Sequence, residues 1–249
     1  MDLYREIVTL ITDEVLSAEA ATRFRPPLVG VAAAEDPLFP QLKSIVGEHH
    51  LLPQDLLPEA KSVLAFFLPF AAPIVDSNRG EEVSREWAEI YLQGNALINA
   101  ICSQLAAMLQ EKGVATAILP ATHNYDATTL QAPWSHRSVA FIAGLGRFGV
   151  NRMLISPQGC AGRYGSLITS ADLVATPRPS EATADEPCGY LRDGSCGYCL
   201  AHCPTQALTP QGINRHRCND YLLQVSQRFA ALGFCDVCGK CAVGPCAVR

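Results

Sequence analysis

Leu3, Ile7, Ile11 and Val15 recur every four residues within the stretch 2–23, with Arg5, Glu6, Asp13 and Glu14 between them. This is the spacing of a helix that buries one face. Between Glu81 and Lys112 a longer stripe runs through Trp87, Ile90, Tyr91, Leu97, Ile98, Ile101, Leu105 and Met108, and Gly113 supplies a stop. It reads as a core face. Ser62 to Phe70 is nearly all apolar, the pattern of a strand covered on both sides. Val114 to Leu119, Met153 to Ser156 and Ser166 to Ser170 predict shorter strands, while Trp134 to Ala143 suits either helix or strand. Residues 25–60, with Pro26, Pro27, Pro37, Pro40, Pro53 and Pro58, predict loops and a short helix, and 120–133 a polar loop. Residues 173–187 have linker composition. They divide an α/β domain, 1–175, from a C-terminal domain, 176–249, in which Leu208–Pro210 predicts a short extended piece and 218–232 a helix.

Composition narrows the class. Apolar residues make up 49 % of the 249, enough to bury a core, and 19 Lys+Arg against 24 Asp+Glu leave a net charge of −5. A protein held mainly by nucleic-acid phosphates needs a basic face, so nucleic acid is not the expected partner. The longest apolar run, Val63 to Val75, is broken by Pro69 and Pro73 and is too short to cross a bilayer. The N-terminus lacks the basic start and uninterrupted apolar stretch of a secretory signal. The expectation is a cytoplasmic protein with no membrane partner.

The cysteines change the picture most. Of 11, only Cys102 and Cys160 precede Cys188, and nine fall between Cys188 and Cys246. Without export, a disulfide scaffold is not expected, which leaves metal. The run Cys188-x7-Cys196-x2-Cys199-x3-Cys203-Pro204 ends as bacterial ferredoxin motifs do, with the last Cys reaching a different cluster from its neighbours. Cys218 and then Cys235-x2-Cys238-x2-Cys241-x4-Cys246 follow. Two [4Fe–4S] clusters need eight thiolates, so one Cys is spare; a zinc module is the alternative. In the crossed scheme, cluster 1 takes Cys188, Cys196, Cys199 and a Cys from the end of the second group. Cluster 2 takes Cys203, Cys218 and two more. Cys102 reads as a buried helix residue and Cys160 as a loop or edge-strand residue.

Gly144-Leu-Gly146-Arg-Phe-Gly149 is a literal G-x-G-x-x-G, and Asp172 lies where a ribose-binding acid would sit. Only seven residues separate Gly149 from Pro157, which leaves no room for the helix a dinucleotide pyrophosphate needs. A tight glycine turn bringing backbone close to another ligand is the better reading.

Ala143-Gly-Leu-Gly-Arg-Phe-Gly-Val-Asn151 resembles the AGLGxxGxN segment of epoxyqueuosine reductases. Gly165-Ser-Leu-Ile-Thr169 resembles the strand after it, and Cys196–Leu208 and Arg217–Leu222 resemble the cluster motifs, in matching order over residues 60–246. The resemblance implies an α+β fold: a nitroreductase- and cobalamin-processing-like α/β domain followed by a two-cluster ferredoxin-like domain. It also implies a chemistry. Characterised members hold cobalamin in the first domain, reduced through the adjacent clusters, for a reductive step on a small organic group. Reductive dehalogenases share this arrangement.

Departures from the family locate the candidate site. The helical-repeat region of the tRNA-modifying members is not seen after Cys246. Leu130 stands where their acidic residue is expected, and Trp134-Ser-His136-Arg137 resembles a short, uncharacterised branch. Cys188 lies seven residues from Cys196 rather than two. Taking Cys238, Cys241 and Cys246 as ligands makes Cys235 the spare, although Cys235-x2-Cys238 fits nearly as well. Cluster 1 is then Cys188, Cys196, Cys199 and Cys246, and cluster 2 is Cys203, Cys218, Cys238 and Cys241. His136 becomes the expected proton donor, since imidazole titrates near neutral pH. Gly144, Gly146, Gly149, Arg137 and Arg163 become the expected cofactor contacts.

Two functions fit. The first is an iron–sulfur oxidoreductase passing electrons to a corrinoid or small substrate in the first domain, fed by a donor such as ferredoxin or flavodoxin. The alternative is an electron-transfer protein that docks a redox partner and has no substrate of its own.

Overall fold

The computed structural model describes residues 2–123, 125–179, 181–182 and 185–249. Four strands form the main sheet: β1 (Leu28–Ala33), β2 (Ser62–Pro69), β3 (Thr116–Ile118) and, later in the chain, β6 (Gly162–Thr169). Their order is β1-β2-β6-β3 and every pairing is antiparallel. Between β3 and β6 lies a small ladder of β4 (Arg147–Phe148) and β5 (Leu154–Ile155).

The apolar run of β2 has a simple cause. Leu64, Phe66 and Leu68 face one buried cluster, with Ile7 and Ile11 of α1 (Leu3–Ser17) and Ile98 and Ile101 of α5 (Arg85–Glu111). Val63, Ala65 and Phe67 face another, with Phe39 of α2 (Leu38–Ile45) and Val139 of α6 (His136–Ile142). Alternate side chains thus meet apolar partners on both faces, so the period-2 polar pattern disappears. Two short helices, α3 (Pro53–Leu56) and α4 (Ala72–Ser77), complete the first part of the chain.

Both long helices start where their caps dictate. The Asp2 carboxylate accepts from the Tyr4 N–H at 3.3 Å, and the Ser84 hydroxyl oxygen from the Trp87 N–H at 3.1 Å. The helix expected across 2–23 stops at Ser17, because Ala18 turns to extended backbone. β1 lies within the stretch expected to be loop. The proline-rich context around it masked a strand whose backbone groups are satisfied by β2. β6 begins at Gly162, four residues before its expected start, and within Trp134–Ala143 the chain forms the helix α6, His136–Ile142.

The C-terminal part holds α7 (Gly189–Asp193), α8 (Tyr198–Ala201), a hairpin of β7 (Leu208–Thr209) and β8 (Gly212–Ile213), and α9 (Arg215–Arg228). Its Val225, Val243 and Ala247 join the α1–α5 side of the core. Lys240 is buried, its ammonium donating to the carbonyls of Asn78, Gly80 and Glu82 at 2.9, 2.7 and 2.6 Å. The linker-like stretch is anchored too. The Thr176 N–H donates to the Val31 carbonyl at 2.9 Å, and the Val31 N–H returns to the Thr176 hydroxyl at 3.0 Å. Among the described residues no helix is long and apolar enough to cross a membrane.

Candidate functional site

Two cavities are lined by cysteines of the C-terminal part, the larger where that part meets α6 and β6 and the smaller beside Val150 and Asn151. The smaller, about 350 Å³, is lined by Cys188, Cys196, Cys199, Cys241 and Cys246. The larger, about 570 Å³, is lined by Cys203, Cys218, Cys238 and Cys241, and on its far side by Tyr91, His136, Arg137 and Arg163. The eight cysteines read as ligands therefore fall into two groups, with Cys241 facing both cavities. Cys235 lines neither. It is fully buried against Ala88 and Tyr91, its backbone N–H donating to the Ser226 hydroxyl at 3.1 Å.

Burial and crowding raise Cys199, Cys218, Cys238 and Cys241, whereas Cys246 is lowered to about 7, chiefly by its hydrogen bond with Cys160. Burial first, then the neighbouring Cys246, Cys188 and Cys196, pushes Cys199 up to about 11. Burial, opposed by the Lys240 N–H and reinforced by Cys218, pushes Cys238 up to about 11. Burial and the neighbouring Cys238 and Cys218 push Cys241 up to about 12. Cys203 goes the other way: burial raises it, but N–H groups of Leu208, Thr205 and Ala207 and the Thr205 hydroxyl together outweigh that. The four raised sulfurs resist ionising beside one another, which suits a positively charged core that would hold them as thiolates. Among the described residues no three His, Cys, Asp or Glu side chains converge as they would on a single metal ion. A cuboidal cluster spreads its thiolates more widely than one ion does, and the donor set fits that.

The glycine turn does not line the larger cavity. A Cβ on Gly146 would lie 2.3 Å from the Ile155 carbonyl oxygen, and one on Gly144, at φ +80°, 2.7 Å from that of Pro177. The turn brings backbone close, as expected, but to the chain's own backbone. Gly149 lies on the thiol side, where a Cβ would sit 3.5 Å from Cys188 Sγ.

His136 is wired into the wall. Its Nε2–H donates to the Pro120 carbonyl at 3.0 Å, and Nδ1 accepts from the Ser166 hydroxyl at 2.7 Å. Ser166 in turn accepts the Trp134 indole N–H at 2.9 Å. Burial first, with Arg163 nearby, takes the imidazole down to about 4. At neutral pH the ring is uncharged and both nitrogens are engaged, so the expected proton donor has no free proton to give. His50 repeats the pattern. Its Nδ1–H donates to the Leu51 carbonyl at 2.8 Å, and Nε2 accepts the Ser135 N–H at 3.1 Å. The two rings and the Trp134 indole fix the segment that opens α6.

Other polar groups line the larger cavity. The Arg137 guanidinium donates to the Arg152 carbonyl at 3.0 Å. Arg163 stacks over the Tyr91 ring at 4.8 Å, and its buried Nε has no partner. The Tyr91 hydroxyl donates to Asp236 at 2.6 Å, and His123 Nε2 to the same carboxylate oxygen at 2.9 Å. Tyr91, His123 and Asp236 all line the larger cavity. Sequence reading missed this triad: no motif spacing links residues 91, 123 and 236, and only the buried stripe of α5 drew attention to Tyr91.

No family model matches the chain. Among curated proteins it is similar to epoxyqueuosine reductases, at 27 % identity to that of Bacillus subtilis over 182 residues (71 % of this chain, 43 % of the relative). The match to that of a Synechococcus species is 30 % over 166 residues (66 % and 46 %). The chain thus spans somewhat under half the length of these relatives. Its fold is similar to the solved Bacillus subtilis enzyme, with a TM-score of 0.62 at 22 % identity, covering 99 % of this chain and 66 % of the other. It is also similar to a catabolic reductive dehalogenase, at 0.61 and 13 %, covering 89 % and 30 %. Over the stretch it shares with these proteins, the mixed α/β chain is epoxyqueuosine reductase-like.

Proposed function

We propose that the chain is an iron–sulfur-dependent reductase. Cys188, Cys196, Cys199 and Cys246 would hold one [4Fe–4S] cluster, and Cys203, Cys218, Cys238 and Cys241 a second. The observation that carries this reading is the placement of the second thiol group and the Tyr91–Asp236–His123 triad in the walls of one cavity of about 570 Å³. Clusters held there would supply electrons singly at low potential. Cys241 lines both cavities, which supports two clusters held side by side. A flat acceptor such as a corrinoid suits the larger cavity, where the unpartnered Arg163 Nε calls for an acceptor atom.

On this reading the chain's own residues bind, orient and hold a proton. Arg163 and Arg137 offer cationic donors to a carboxylate, amide or phosphate oxygen. Tyr91, pushed up to about 12 chiefly by burial, keeps its hydroxyl proton at neutral pH, and Asp236 orients it. His136 positions Ser166 and Trp134 rather than donating. The cytoplasm and a ferredoxin- or flavodoxin-type donor are part of the same proposal.

The substrate has a second reading. A solved epoxyqueuosine reductase similar in fold, with a TM-score of 0.56, is bound to an epoxyqueuosine-modified tRNA stem loop. Arg137, Arg152 and Arg215 line the larger cavity here, so a net charge of −5 does not exclude an RNA substrate, because charge is read locally.

The test is anaerobic purification of the full chain with iron, sulfide, zinc and cobalt analysis and an optical spectrum. About eight iron and eight sulfide per chain are expected. Stoichiometric zinc without visible absorbance overturns the proposal. Iron–sulfur absorbance with no binding of corrinoid, substrate analogue or RNA stem loop favours the electron carrier instead.

A further inference from the structure

Cys160 lies outside both thiol groups in the sequence, yet its sulfur is 3.7 Å from that of Cys246. It does not line the smaller cavity, so it approaches Cys246 from behind. Backbone places it there. The Cys160 N–H donates to the carbonyls of Cys246 and Ala247 at 3.0 and 3.1 Å, and the Ala161 N–H to that of Ala247 at 3.1 Å. Gly159, at φ +95°, allows the approach, since a Cβ there would lie 2.2 Å from the Ala247 carbonyl oxygen.

Asn151 completes the arrangement. Its amide nitrogen donates to the Cys241 carbonyl at 2.9 Å and lies 3.8 Å from the sulfurs of both Cys160 and Cys246. The amide orientation is fixed because its oxygen accepts the Met153 N–H at 3.1 Å. The Cys246 sulfur therefore has the Cys160 S–H behind it and an N–H from Asn151, which itself lines the smaller cavity.

We propose that Cys160 is a positioning residue that donates its S–H to the Cys246 thiolate and, with Asn151, raises the reduction potential of the cluster in the smaller cavity. A donor aimed at a ligating sulfur withdraws negative charge, which favours the more negative, reduced cluster. Electrons would then settle on this cluster more readily than on the same cluster without the donor. The inference rests on the reading above that Cys246 is a ligand.

The test is a redox titration followed by electron paramagnetic resonance, with iron analysis, on anaerobically purified wild type, Cys160→Ala and Cys160→Ser. Both variants are expected to keep wild-type iron. In Cys160→Ala one midpoint shifts to more negative potential and the other stays put. Cys160→Ser keeps a shorter donor and shifts less in the same direction. Wild-type midpoints in both variants overturn the proposal, as does loss of half the iron in Cys160→Ala, which would make Cys160 a ligand. Should Cys160→Ala fail to fold, Cys160→Ser decides alone, and midpoints identical to wild type overturn the role. Wild type without any iron would instead sink the cluster reading itself, so the two failures are distinguishable.

Discussion

The Tyr91 hydroxyl reaches Asp236 at 2.6 Å, and this one bond joins the longest helix to the segment that carries Cys235, Cys238 and Cys241. Tyr91→Phe deletes the donor while keeping the ring beneath Arg163. A hydrogen bond to a charged acceptor contributes about 1.5–3 kcal/mol. The variant should lose that much stability in chemical denaturation while retaining iron. An unchanged midpoint would mean that water replaces the hydroxyl without cost.

His136 and His50 are both lowered below the ordinary histidine value, each by burial first. The folded state therefore binds fewer protons than the unfolded one between the lowered value and 6.5. Their contribution to stability is complete above about pH 6.5 and is lost as pH falls, for His136 toward 4, with a slope of up to about 1.4 kcal/mol per pH unit for each ring. His136→Gln should flatten that slope. Denaturant midpoints at pH 7.5, 6 and 5 for both proteins decide the matter, and parallel profiles would refute it.

Gly146→Ala would drive a methyl group into the Ile155 carbonyl, with only backbone on the other side to move. Overpacking of this kind costs about 1–3 kcal/mol. A melting temperature within a degree or two of wild type would show that the β4–β5 ladder shifts freely.

Cys235→Ala should leave the iron content at the wild-type level, because Cys235 packs against Ala88 and Tyr91 away from either cavity. Cys246→Ala should remove about half of the iron. The reverse pair of results would reassign the last ligand.

Much of the framework was legible because it depends on local periodicity. The four-residue spacing of Ile7, Ile11 and Val15, the unbroken apolar run of β2 and the stripe on α5 each report a burial that follows from element type. The eight cysteines that the thiol spacing singles out line the two cavities, Cys241 lining both. What escaped was set by tertiary contact. β1 gains its pairing only from β2. Asp236 matters because α5 passes it, and Cys160 because the chain returns beside it at Cys246. His136 was misjudged for a related reason. Ordinary imidazole chemistry assumes water around the ring, and here Pro120 and Ser166 stand in its place.

Each cavity draws its thiols from both ends of the C-terminal part: Cys188, Cys196 and Cys199 meet Cys246, while Cys203 and Cys218 meet Cys238 and Cys241. During synthesis, then, neither chamber is complete until the final group of cysteines has left the ribosome. The earlier thiols must wait, reduced and unshared, while α9 is made. On the proposed reading, loading of metal would thereby be tied to completion of the fold, and a nascent chain halted before Cys238 would carry five of the eight ligand thiols with no finished place to put them.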